Sequence, residues 1–257
     1  MRRSRGVLLV SRIVIGGVDG PGLLTSTSGI GRSTAFAFAK AGVRGLVLAD
    51  INSEALKKTV ADVQAEHPSL KIAPLHLDVS DEKSAIDCID EASRVFGRLD
   101  YAVNNVGIGG NHIPTTEQPR AEFDKVMAVN LAGLWTCQRE QVKQMLKQDI
   151  EDPRAGRGVI TNTASILGLV GGPPGASPYV ASKHAIVGIT KNVSPCSLIG
   201  KSHSRLRRSL KRASGSGHIR QARYKDQLRL PWIADCIVFL SSRMASYVNG
   251  TALVADG

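Results

Sequence analysis

Gly29-Ile-Gly31 runs into Arg32-Ser-Thr-Ala35 and is followed by Gly45-Leu-Val-Leu-Ala49 and Asp50; the reading of this stretch decides the fold. Two glycines at the start of a helix let the backbone pass close to a bound group. The unpaired N–H groups and the dipole at that helix end favour a phosphate. Gly45 to Ala49 is an uninterrupted apolar run, the pattern of a strand buried on both faces. An acidic residue at the end of that strand, about twenty residues past the glycines, accepts hydrogen bonds from ribose hydroxyls and repels a 2′-phosphate. Without the glycines, Asp50 would read as an ordinary turn residue.

The alternation continues outward from this stretch. A helix capped at Ser53 carries Leu56, Val60 and Val63 on one face and runs to Pro68. Lys71 to His76 and Leu99 to Val103 read as further strands, with a helix from Asp81 to Phe96 between them. A long amphipathic segment spans Arg120 to Gln148, Gly158 to Asn162 is another strand, and Pro178 starts a helix. The first strand has two candidates, Val7–Val10 and Ile13–Ile15. Strands and helices in this order predict an α/β doubly wound parallel sheet of the Rossmann type, and 257 residues suit a single domain.

On the helix begun by Pro178 stands Tyr179-Val-Ala-Ser-Lys183. A Tyr and a Lys four residues apart share one helix face. An ammonium beside a phenol favours the phenolate, so the pair is suited to trading protons near neutral pH. A hydroxyl from Ser165 would hold the same substrate oxygen. Together these groups form machinery for proton transfer to a carbonyl while a hydride arrives from elsewhere.

The ordered set Gly29-Ile30-Gly31, Asp50, Asp78-Val79, Asn104-Asn105-Val106-Gly107, Val129-Asn130-Leu131, Ser165, Tyr179-x-x-x-Lys183 and Asn249-Gly250-Thr251 resembles the short-chain dehydrogenase/reductase family. The likeness covers residues 29–191 and 233–257. It implies a nicotinamide cofactor, hydride exchange with a small-molecule ketone or secondary alcohol, and a homo-oligomer. It also implies roles. Tyr179 would give and take the proton, Lys183 would lower its pKa and hold the nicotinamide ribose, and Ser165 would orient the substrate oxygen. Asn130 would kink its helix and hold a proton-relay water. Gly29, Ile30, Gly31, Asp50, Asp78, Val79, Asn105 and Gly107 would bind the cofactor, with Asp78 at the adenine and Asn104 and Gly107 along the adenosine side. Asp50 favours NAD and leaves NADP open.

Two segments depart from the family. Thr25 stands where the pattern has its first glycine, and residues 11–28 form an unusual insertion before the glycine loop. Residues 192–232, which should supply a sixth strand and the substrate loop, are rich in Ser, Arg and Lys with little periodicity. His203-Ser-Arg-Leu-Arg-Arg208 can be encoded so that reading one base later gives Ile-Arg-Val-Ser-Ala, which resembles the missing strand. The alternative to an oxidoreductase is therefore a catalytically inactive Rossmann-like binding or regulatory protein, or the nonfunctional product of a misread gene.

The net charge of +11 comes from ten Lys or Arg against Asp226 alone in residues 192–231 and from Arg2, Arg3, Arg5 and Arg12, so the body is nearly neutral. Basicity confined to two local segments argues against nucleic acid as a partner. Cys88, Cys137, Cys196 and Cys236 are widely spaced and form no C-x-x-C pair, which predicts a reduced cytoplasmic protein with no metal site. No apolar stretch reaches the length of a membrane span, so no membrane partner is expected.

Overall fold

The computed structural model of the chain describes residues 13–17, 29–151, 156–197 and 230–255. Five parallel strands form one sheet in the order β3-β2-β1-β4-β5. They are β1 (Ile13–Gly17), β2 (Gly45–Asp50), β3 (Lys71–His76), β4 (Tyr101–Asn104) and β5 (Val159–Asn162). β1 pairs with β2 on one side, Val14 opposite Val47, and with β4 on the other, Val14 opposite Ala102. Of the two candidates for the first strand, the sheet uses the second. The stretch 11–28 thus holds the central strand, and only the remainder of it intervenes before the glycine loop. Thr25 and Val7–Val10 lie outside the described residues.

The helices are α1 (Gly29–Lys40), α2 (Ser53–Glu66), α3 (Glu82–Phe96), α4 (Arg120–Met127), α5 (Leu134–Leu146), α6 (Ser177–Ser197) and α7 (Leu230–Ser241). Alternate residues of each strand point to opposite faces, and both faces are covered. Leu46 and Leu48 of β2 and Tyr101 and Val103 of β4 pack with Phe38 of α1, Leu56 of α2 and Ile237 of α7. Val47 and Ala102, between them in sequence, pack on the other side with Ile89, Ala92 and Phe96 of α3 and Met145 of α5. Every residue of β2 is buried, as the continuous apolar run requires.

Local chemistry sets the element ends. Asn52, not Ser53, caps α2: its Oδ1 accepts the Ala55 N–H at 3.0 Å. Asp81 caps α3 by accepting the Lys83 N–H at 3.1 Å, and Gly97 closes it in the left-handed region at φ 78°. The long segment from Arg120 is two α-helices joined by a π-helical turn, Ala128–Gly133. At the far side of the sheet, β5 pairs with β4 through Tyr101↔Val159 to Asn104↔Asn162. No sixth strand follows among the described residues. α6 continues to Ser197 and α7 begins at Leu230, so the anomalous segment is narrower than 192–232, and its basic run of 201–229 lies outside the described residues.

Candidate active site

The strand order reverses between β1 and β4, and in a doubly wound sheet ligands bind at the carboxyl ends of the strands beside that reversal. Asp50 ends β2, Asn105 to Gly107 follow β4, and Ser165 follows β5 by three residues, so all three groups stand at that rim. α1 begins at Gly29 with φ 56°, and Ile30 and Gly31 are buried behind it. The Asp50 carboxylate is fully buried, and its Oδ1 accepts the Asn52 N–H at 2.9 Å. The turn role and the rim position belong to the same residue.

Lys183 is the best-defined group of the site. Its ammonium donates to the Thr163 carbonyl at 3.0 Å and the Val106 carbonyl at 3.5 Å. It lies 5.5 Å from the centre of the Tyr179 ring. Burial of the ammonium pushes its pKa down from 10.5 to about 8, because low-dielectric surroundings disfavour the charged form. It therefore carries its proton at neutral pH. Tyr179 is buried beside it at 9 % exposure.

Asn130 sits inside the π-helical turn and is fully buried. The wider turn redirects the helix, as π-bulges do at functional sites. Gly133 makes room for it, since a Cβ there would lie 2.4 Å from the Val79 carbonyl oxygen. The Asn130 carboxamide accepts the Ile108 N–H at 2.8 Å and donates to the Ile108 carbonyl at 2.9 Å. Its Nδ2 also donates to Ser182 Oγ at 3.1 Å, and Ser182 donates in turn to the Tyr179 carbonyl at 2.7 Å. Ser165 caps the short 3₁₀ turn Ile166–Gly168, accepting the Leu167 N–H at 3.2 Å. That turn lies against α6 at Lys183, for a Cβ on Gly168 would stand 2.7 Å from the Lys183 carbonyl oxygen.

The loop before α6 packs on the loop after β4. Gly175, at φ 81°, packs so closely on the loop after β4 that a Cβ would lie 2.4 Å from the His112 carbonyl oxygen. Thr115 Oγ1 and Ser177 Oγ join the same two loops at 3.2 Å.

Gly107 stands beside Lys183 and Asn130: a Cβ on it would be 3.2 Å from Lys183 Nζ and 3.5 Å from Asn130 Oδ1. Asn104 turns inward, where its amide exchanges hydrogen bonds with Gln141 at 2.9 and 2.8 Å. Asp78 is held locally, its Oδ1 accepting the Ser80 N–H at 2.9 Å and Oγ–H at 2.6 Å, beside buried Val79. Cys137 belongs to the core and His184 is exposed, which fits packing and surface roles. Ser182 and Thr163 were not singled out from sequence. The serine stood inside the quoted Tyr179–Lys183 stretch, three residues past the tyrosine, where a hydroxyl reaches back to the preceding turn.

The rim fits a polar cofactor. Both polar atoms of the Asn105 carboxamide are buried without a partner among the described residues, and leaving such atoms unpaired costs about 1–3 kcal/mol each. The side chain missing at Gly107 keeps the space beside Lys183 clear.

The profile of the family described as short chain dehydrogenase matches residues 23–195. The chain is 35 % identical over 273 residues to the short-chain dehydrogenase srdC of Neurospora crassa, covering 93 % of this chain and 96 % of that one. The crystal structure of levodione reductase superposes with a TM-score of 0.72 at 29 % identity, covering 95 % of each chain. NAD+-bound xylitol dehydrogenase superposes with a TM-score of 0.63 at 29 % identity, covering 73 % of this chain and 65 % of that one. Other solved neighbours hold NADP. Neither the described site nor these relatives support an inactive protein. No described helix is long and apolar enough to cross a membrane. The chain belongs to the short-chain dehydrogenase/reductase family and is an NAD(P)-dependent oxidoreductase acting on an alcohol or ketone.

Proposed function

We propose that Tyr179 is the acid and base of the reaction, interconverting a small ketone and a secondary alcohol, and that NAD is the preferred cofactor. The observation that carries this reading is the Lys183 ammonium, buried, held by the Thr163 carbonyl at 3.0 Å and set 5.5 Å from the Tyr179 ring centre. A positive charge in that place stabilises the phenolate over the phenol and so favours proton exchange at Tyr179.

When bound, the nicotinamide cofactor supplies or takes up the hydride. In the reducing direction the Tyr179 hydroxyl gives its proton to the substrate oxygen; in the oxidising direction the phenolate takes it back. Ser165 Oγ already accepts the Leu167 N–H, which directs its own hydrogen outward for the substrate oxygen. Lys183 supports the phenolate and the nicotinamide ribose. Asn130, anchored to Ile108 and Ser182, holds the far side of the pair and a relay water. Gly29, Ile30, Gly31, Asp78, Val79, Asn105 and Gly107 line the cofactor, and Asp50 meets the adenosine ribose. The working form is a homo-oligomer, as the family resemblance implies, and cytoplasmic, as the widely spaced cysteines suggest.

Tyr179→Phe tests the central role. The expected result is loss of turnover with NADH affinity, read by nicotinamide fluorescence, nearly unchanged, since the ring contributes little to binding. A Phe variant that turns over at the wild-type rate removes Tyr179 from the chemistry.

A further inference from the structure

Beside the Tyr179–Lys183 pair lies a chain of side-chain amides that the proposed chemistry does not use, buried at Asn104, Gln138 and Gln141 and half-buried at Asn162. Asn162, the last residue of β5, donates through Nδ2 to Gln138 Oε1 of α5 at 2.5 Å and to Thr190 Oγ1 of α6 at 2.8 Å. Its Oδ1 accepts from Asn104 Nδ2 of β4 at 2.9 Å, and Asn104 is locked in turn to Gln141 of α5. The Thr190 hydroxyl hydrogen is already spent on the Ile186 carbonyl at 2.7 Å, so the hydroxyl presents its lone pairs to Asn162. Four of the five residues belong to the sheet and to α5. Thr190 alone joins the network to α6.

That single link is placed to matter. Thr190 lies seven residues beyond Lys183, about two helical turns, and so faces the same side of α6. The residue after Asn162 is Thr163, whose N–H donates to the Asn104 carbonyl at 2.9 Å and whose own carbonyl receives the Lys183 ammonium at 3.0 Å. One end of β5 thus fixes the acceptor for Lys183 and, through Thr190, the height of the helix that carries Lys183 and Tyr179. Buried networks with every member satisfied rigidify the elements they join.

We infer that Thr190 is a positioning residue for the Tyr179–Lys183 pair, acting through the Asn162 carboxamide. The inference rests on the proposed roles of Tyr179 and Lys183. The groups facing the Lys183 ammonium are Tyr179 from its own helix, the carbonyls of Thr163 and Val106, and the bare backbone of Gly107 beside the neutral Asn130 amide. Among the described residues no carboxylate faces it, so the position of these neutral groups governs how well it supports the phenolate.

The test compares Thr190→Val, which keeps the shape and removes the hydroxyl, with Thr190→Ser, which restores it. Two properties are read: turnover with NADH and the best ketone of a panel, and the phenolate absorbance of the cofactor-free protein, isolated by subtracting the Tyr179→Phe spectrum. Thr190→Val should lower kcat roughly ten- to a hundredfold, the scale of a small misplacement of catalytic groups. It should also move the Tyr179 phenolate titration to higher pH, and Thr190→Ser should return both. Gln138→Met removes the other acceptor of the same amide without altering α6, and should move both readouts the same way even if Thr190→Val fails to fold. Wild-type kcat and titration in the Val or Met variant, at whatever melting temperature, overturn the inference. So does a Ser variant as impaired as Val. If Tyr179→Phe itself keeps its turnover, the functional reading falls and takes this one with it. If Phe abolishes turnover while Val does not, only the positioning role is lost.

Discussion

Asn130 and Ser182, 52 residues apart in sequence, meet through a hydrogen bond of 3.1 Å that ties the π-helical turn to the catalytic helix between Tyr179 and Lys183. Both side chains are fully buried. Ser182 accepts from Asn130 and donates to the Tyr179 carbonyl, so one hydroxyl orients the amide and braces the tyrosine's own turn. Ser182→Ala should destabilise the protein by about 1–2 kcal/mol, the cost of leaving a buried donor short of a partner. Urea unfolding measures that loss, and a severalfold fall in kcat should accompany it. An unchanged denaturation midpoint would mean that Asn130 is held by Ile108 alone.

Lys183 makes the site costly to fold. Its pKa falls from an ordinary 10.5 to about 8 on burial, so below pH 8 the folded chain carries the full penalty of a desolvated ammonium. Between pH 8 and 10.5 the unfolded chain binds a proton that the folded one lacks, and this group's contribution makes stability rise with pH across that window. Lys183→Met should abolish turnover and weaken cofactor binding, yet raise stability at pH 7 by on the order of 2 kcal/mol. The gain should shrink as pH approaches 10. Thermal melts of the cofactor-free proteins at pH 7 and pH 9.5 give the comparison, and equal stabilisation at both would contradict burial as its source.

The proposed preference for NAD rests on Asp50. The carboxylate at the end of β2 opposes a 2′-phosphate by like charge. Of the two guanidinium groups that could welcome one, Arg32 and Arg44, Arg32 is paired with Asp62 at 2.9 Å and stacks 4.7 Å over the Phe36 ring. Fluorescence titration should show tighter binding of NADH than NADPH. Asp50→Asn should narrow the gap about tenfold, the equivalent of about 1.4 kcal/mol. Tighter NADPH binding by the unaltered chain would sink the NAD assignment.

Much of the fold was legible because buried parallel strands announce themselves as apolar runs. Lys71–His76 matches its expected bounds, and Gly45–Asp50 extends its own by one residue. Asn130, Ser165, Tyr179 and Lys183 could be named from sequence because they are chemically distinctive and fall in family order. What the sequence hid depends on distance in the chain. The amides of Gln138, Gln141 and Asn162 read as ordinary polar residues, and the partners of Asn104 stay hidden, until the fold brings β4, β5 and α5 together. The contact of Gly107 with Lys183 is hidden for the same reason: only the approach of α6 creates it. The choice between two apolar runs for the first strand could not be made from pattern alone, because both read as strands.

That choice is open to a direct test. β1 lies at the centre of the sheet, with β2 and β4 bonded to its two edges. Proline within a central strand removes a ladder donor and is found essentially only on edge strands or at bulges. Val14→Pro should therefore prevent cooperative unfolding or lower the midpoint sharply, whereas Leu9→Pro, in the rejected candidate, should leave it nearly unchanged. The reverse ranking would return the first strand to Val7–Val10.

The last prediction concerns the free edge of the sheet. Among the described residues β5 is bonded to β4 alone, and a parallel edge left open exposes backbone donors and acceptors beside the active site. We expect the single domain to be limited by the segment between α6 and α7, where the family pattern calls for a strand and this sequence has a basic run. A second chain would carry the one-base-shifted reading across 201–229, which restores the Ile-Arg-Val-Ser-Ala alternation. It should melt at higher temperature than the chain as it stands, gain more from added NAD, and turn over a ketone panel faster. Ligand stabilisation follows the logarithm of cofactor concentration over its dissociation constant, so a tenfold gain in affinity adds about 1.4 kcal/mol at saturation. If the two chains melt together, respond equally to NAD and share the same kcat, the basic run is a full substitute for the strand it displaces, and the edge of β5 is not the weak point of the fold.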